Sequence, residues 1–132
     1  MNRTETSPDP EGPTGLLLSR DLIFTSKVTG TATALGCKVV VVGSSALVEP
    51  LLAKWRPAVV FVDLAAGDLV AAGSLVRYRG LAAAGTPFVA FGSHVDVRAL
   101  AEAAEAGCDP VMPRSRFSAE LPALIRRYLG GD

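Results

Sequence analysis

Five short apolar runs, at residues 16–19, 38–42, 58–62, 87–91 and 109–112, are rich in Val, Leu and Phe at successive positions. A strand with one wetted face alternates apolar and polar residues, whereas a strand covered on both faces is apolar throughout. Longer segments of helical period separate the runs. This alternation predicts an α/β domain in which helices cover both faces of a parallel sheet.

The expected helices span residues 21–35, 45–55, 68–83 and 95–106, with a fifth following Ser118. Gly36 and Gly107 stand where two of them end, in keeping with left-handed caps. Ser44 or Ser45 is placed to cap the second. Gly73 and Gly80 weaken the third and are the expected points of a split. The fifth tolerates Pro122 in its first turn and carries Arg126 and Arg127 at its C-terminus, where they suit the helix dipole. Because βαβ crossovers are right-handed, the result is an open, doubly wound, five-stranded sheet.

Residues 1–14, MNRTETSPDPEGPT, hold three prolines and no apolar periodicity. They read as a disordered leader, with residues 15–130 as one domain.

Thirteen basic and thirteen acidic residues cancel, so no net field favours nucleic acid or anionic lipid. No apolar run approaches the roughly 18 residues of a membrane span, and no secretory signal opens the chain. A cytoplasmic protein is expected. Cys37 and Cys108 fall outside any C-x-x-C pattern, which favours free thiols over a disulfide or metal framework.

In a doubly wound sheet the crevice lies beyond the carboxyl ends of the strands. The residues there are Ser19, Arg20 and Asp21; Gly43 and Ser44; Asp63; Gly92, Ser93 and His94; and Pro113 and Arg114. Gly43-Ser44-Ser45 lacks the pattern of a nucleotide-binding loop and reads as helix capping. His94 has no second ligand or nucleophile beside it and reads as structural. Arg77, Tyr78 and Arg79 form a short basic stretch on a helix face.

The pattern P-A-V-V-F-V-D-L at residues 57–64, T-P-F-V-A-F at 86–91 and A-G-C-D at 106–109 resembles the receiver domain of two-component response regulators, of the CheY-like, flavodoxin-like type, in a divergent pseudo-receiver form. The resemblance covers about residues 15–129. It implies strand order 2-1-3-4-5, a phosphoacceptor aspartate at Asp63, and an acidic pair that holds Mg²⁺ at the positions of Ser19 and Arg20. It further implies a switch hydroxyl at Gly92, or at Ser93 after a one-residue shift, and a lysine at the position of Arg114.

A phosphoryl group in transfer needs its oxygens neutralised, and Mg²⁺ does this when carboxylates anchor it. Arg20 in place of a carboxylate repels the metal. Either Arg20 or Arg114 could supply the missing charge by pairing with Asp63, a gross attraction of up to about 4 kcal/mol at 4 Å before desolvation.

The expectation is therefore a signalling and protein-interaction module without enzymatic activity, cofactor or metal. Its expected contacts are a protein partner or a second copy, through residues 95–129, with a histidine kinase among the candidates. Two alternatives stay open: a working phosphorelay regulator in which Asp21 and Asp63 share Mg²⁺, and a flavodoxin-like small-ligand protein or enzyme.

Overall fold

In a computed structural model, residues 13–130 are described. Apart from residues 13 and 14, the expected leader lies outside them. Thr14 does not belong to a leader. It opens β1 (Thr14–Leu18), is buried, and pairs with Lys38.

The chain continues through α1 (Leu22–Ala34), β2 (Lys38–Val42), α2 (Ser45–Trp55) and β3 (Val59–Asp63). A 3-10 segment (Leu64–Val70) then leads to α3 (Ala72–Leu81), β4 (Phe88–Gly92) and α4 (Val97–Glu105). β5 (Val111–Pro113), α5 (Arg114–Ala119) and α6 (Leu121–Leu129) complete the fold. The five strands form one parallel sheet in the order β2-β1-β3-β4-β5. All residues of β1, β3 and β4 are buried, which is why their sequences show no alternation. At the edge, β2 leaves Val41 partly in water.

Two apolar layers cover the sheet. Leu16, Leu18, Val60, Val62 and Ala90 point to the face covered by α2, α3 and α4. Leu17, Val59, Phe61, Val89 and Phe91 point to the face covered by α1, α5 and α6. On that second face Phe24, Phe61, Phe91 and Phe117 form a continuous aromatic cluster, with Phe117 stacked 4.0 Å from Phe91.

The third helical region splits, but not at Gly73 or Gly80. Both lie inside α3, with open space around them. Within the expected span the division falls at Ala71, between the 3-10 segment and α3; just ahead of that span Gly67 kinks the 3-10 segment at φ 65°, ψ −130°. A side chain is strained at such a conformation, so Gly67→Ala is expected to cost about 1–3 kcal/mol. Gly80→Ala, by contrast, is expected to stabilise by about 0.5–1 kcal/mol. Urea denaturation of the two variants reads both signs.

The fifth helical region also begins earlier than expected, at Arg114, and turns at Glu120 into α6. α4 starts at Val97, with the Asp96 carboxylate accepting from the Ala99 amide at 3.1 Å. Ser44 takes the N-cap position of α2, but neither it nor Ser45 forms a side-chain cap; the backbone carbonyl of Ser44 accepts from Leu47 and Val48.

Candidate functional site at the end of the third strand

Asp63 is the last residue of β3 and is 1% exposed. A carboxylate this deep needs partners for both oxygens. Its Oδ2 accepts from Ser19 Oγ at 2.7 Å. Its Oδ1 accepts from the Ala65 amide at 3.0 Å and from Arg114 Nη2 at 2.8 Å. Ser19, beyond the end of the neighbouring strand β1, is equally buried and accepts from the Asp21 amide at 3.2 Å.

Of the two candidate cations, Arg114 pairs with Asp63 and Arg20 does not. Arg114 is the first residue of α5 and follows β5 directly, so the short connection carries its guanidinium back over the sheet edge. The guanidinium lies 4.5 Å from the ring centroid of Phe24 and 5.5 Å from that of Phe91. Its Nη1 stands 3.8 Å from Asp21 Oδ2. One cation thus bridges two carboxylates on an aromatic floor.

Arg20 turns the other way, toward β2. Its Nε donates to the Gly43 carbonyl at 3.0 Å, and its Nη1 donates to the Ala66 carbonyl at 3.2 Å and to Asp68 Oδ1 at 3.0 Å. Three acceptors there satisfy the guanidinium fork, while Ser19 already occupies the free oxygen of Asp63. Arg20 consequently ties the ends of β1 and β2 to the 3-10 segment.

Asp21 serves the first helix: its Oδ1 accepts from the Phe24 amide at 2.9 Å and caps α1. Ser93 is exposed, and its hydroxyl accepts from the Val95 amide inside its own turn. His94 is exposed in the same turn. Neither is brought to Asp63 by any hydrogen bond or ion pair among the described residues. Nor do the described residues place three or more His, Cys, Asp or Glu side chains together in a way that would hold a metal ion.

Gly92, at the expected switch position, is held small by Leu64. A Cβ on Gly92 would stand 3.1 Å from Leu64 Cβ and 3.2 Å from Leu64 Cδ1. Gly92→Thr is therefore expected to cost about 1–3 kcal/mol through overpacking. Leu64→Ala in the same chain should recover part of that loss, a coupling that a double-mutant cycle by urea denaturation detects. Three features of the site carried no sequence signal: Leu64 over Gly92, the Ala65 amide, and Asp68 as the partner of Arg20.

The cysteines stand apart from the site. They precede β2 and β5, the opposite edges of the sheet, and both are free. Burial pushes the Cys108 thiol from its ordinary 9.0 up to about 11, against a smaller opposing pull from Arg79. Folding thus favours the protonated thiol: this contribution is complete below pH 9.0 and is lost as pH rises through about 11. At neutral pH, thiol labelling is expected to modify half-buried Cys37 well before Cys108, which should react only on unfolding.

No family model matches the sequence, and no curated protein matches it. Solved structures do match its fold. A response regulator from Hahella chejuensis superposes with a TM-score of 0.77 at 14% identity, over 91% of this chain and 97% of that one. The receiver domain of a sensor histidine kinase from Pseudomonas aeruginosa PAO1, solved with a magnesium ion coordinated in its active-site cleft, gives 0.74 at 17% identity, over 91% and 99%. A response regulator from Thermotoga maritima gives 0.72 at 16%, over 91% and 99%. The chain therefore has the CheY-like receiver fold, with the strand order the sequence resemblance implied.

Proposed function

We propose that this chain is a receiver-like signalling module that works by protein contact, is not an enzyme, and does not use Mg²⁺-dependent phosphorylation of Asp63. The observation that carries this reading is the 2.8 Å contact between Arg114 Nη2 and Asp63 Oδ1. A phosphoacceptor needs a free carboxylate oxygen and a metal beside it. Here both oxygens are engaged, and the neutralising charge is a guanidinium that the fold itself supplies.

The donor set does not fit Mg²⁺. Ser19 and Arg20 stand where the ion would take its carboxylates, and Arg20 is directed to β2. Asp21 is committed to capping α1 and faces Arg114, which weighs against its sharing a metal with Asp63. Among the described residues no helix is long and apolar enough to cross a membrane, and the balanced charge favours neither nucleic acid nor lipid. Protein partners in the cytoplasm, a histidine kinase among them, fit this reading.

The test is incubation of the full chain with acetyl phosphate and millimolar Mg²⁺, followed by intact-mass measurement. The expected result is an unchanged mass. Stoichiometric gain of one phosphoryl group, abolished by Asp63→Asn, would overturn the proposal.

A further inference from the structure

Charge in this chain is balanced only over its whole length. Twelve of the thirteen basic residues fall within residues 13–130, against nine of the thirteen acidic ones; residues 1–12 hold Glu5, Asp9 and Glu11 against Arg3.

The excess cations gather at one end of the fold. Arg20, Arg77, Arg98, Arg114 and Arg116 are each ion-paired, and Lys27 donates to the Ser118 hydroxyl. Lys38, Lys54, Arg56, Arg79, Arg126 and Arg127 are exposed and make neither an ion pair nor a side-chain hydrogen bond among the described residues. All six stand at the amino end of the sheet: Lys38 opens β2, Arg56 precedes β3, and the others lie toward the ends of α2, α3 and α6. Helix dipoles account for the last-turn positions. Lys38, in a strand, is outside that account, and Arg56 sits at φ 51°, where glycine would be unstrained.

Contacts join five of these cations into one surface around Thr14. Lys38 is the register partner of Thr14, and the Ala58 amide, two residues beyond Arg56, donates to the Thr14 carbonyl at 2.8 Å. Lys54 precedes Arg56 by two residues. Cys37 Sγ, next to Lys38, donates to the Leu129 carbonyl at 3.7 Å and so ties in the end of α6 that carries Arg126 and Arg127. Arg79 stands apart from the five. Its guanidinium lies against Gly107, which Glu105 and Asp109 flank in sequence, and these two carboxylates also lack an ion pair among the described residues.

Covalent geometry brings other carboxylates to the five. Glu11 is three residues from Thr14 and Asp9 five, so their backbones stay within about 11 and 18 Å of it. Lys38 and Thr14, on adjacent strands, are about 5 Å apart. A tether this short gives an effective concentration of about millimolar or more. Pro8, Pro10 and Pro13 also narrow the conformations that a contact would cost. A free acidic protein, lipid or nucleic acid has neither advantage.

We infer that the acidic stretch of residues 5–11 lies across the amino end of the sheet as an ionic strap, held in cis by Lys38, Lys54, Arg56, Arg126 and Arg127. Held there, it screens this surface from other polyanions. The inference is independent of the chemistry at Asp63.

Paramagnetic broadening in the full chain tests it, with a nitroxide on Ser7→Cys in a Cys37→Ser background; Cys108 is buried and leaves the label at one position. The amides of Lys38, Lys54 and Arg56 should broaden at low salt, with residues 93–96, at the opposite end of the sheet, as the baseline. Neutralising the stretch by Glu5→Gln, Asp9→Asn and Glu11→Gln together should restore their intensity about two-fold or more, since exposed charges attract only within about 10 Å. These three substitutions fall outside residues 13–130, and an otherwise unchanged amide spectrum checks that the domain is folded. Absence of broadening, or broadening that is the same with the acidic and the neutralised stretch, as a passive tether gives, overturns the inference.

Discussion

Arg114→Met is expected to destabilise the domain by about 2–4 kcal/mol, because it strands a carboxylate that water cannot reach. Asp63 is 1% exposed and would keep only the Ser19 hydroxyl and the Ala65 amide. The methionine preserves much of the apolar contact with Phe24 and Phe91, so the loss reads mainly the charge. Arg114 itself is 31% exposed on its side chain, which admits some solvent screening and sets the range below that of a fully buried pair. Asp63→Asn should cost less, since it removes the buried charge together with the need to neutralise it. The double variant should therefore be more stable than the sum of the two losses indicates, by about 1–2 kcal/mol. Urea denaturation of the four proteins measures this, and strict additivity would mean that the pair contributes no coupling.

Phe117→Ala is expected to be the most damaging single truncation, at about 3–5 kcal/mol. Its ring is fully buried on α5, stacked on Phe91 at an interplanar angle of 17° and edge-on to Phe61 at 5.5 Å. Removing it opens a cavity among three other rings that are themselves anchored on separate elements, so collapse is limited. In a domain of this size the loss corresponds to a fall in Tm of about 10–20 °C, readable by circular dichroism. The effect reaches the site: α5 begins at Arg114, and Phe117 holds that helix against the sheet. Phe117→Leu, which keeps most of the volume, should lose less than half as much.

The strands were legible in sequence because burial on both faces leaves an unbroken apolar run, and β2 has the expected bounds to the residue. β1 begins two residues early because Thr14, a polar residue next to Gly15 and Pro13, gives no apolar signal although it is buried and paired. The third helical region was misdivided for a related reason. Glycine lowers helix propensity at Gly73 and Gly80, but both are helical inside α3, and the division falls at Ala71, a residue type that gives no sign of it.

Sequence alone determined the layers and the position of Asp63 at the end of the third strand, since each follows from local periodicity and neighbouring residues. The pairing of Asp63 was a tertiary decision. Arg20 and Arg114 are equally cationic and both sit at the crevice, so charge and spacing left them equivalent. Separation came from packing: β2 and the 3-10 segment offer Arg20 three oxygens, while α1 and β4 offer Arg114 two aromatic rings beside Asp63. Such contacts join residues 23 to 90 positions apart in the chain, and only the folded sheet brings them within reach of one guanidinium.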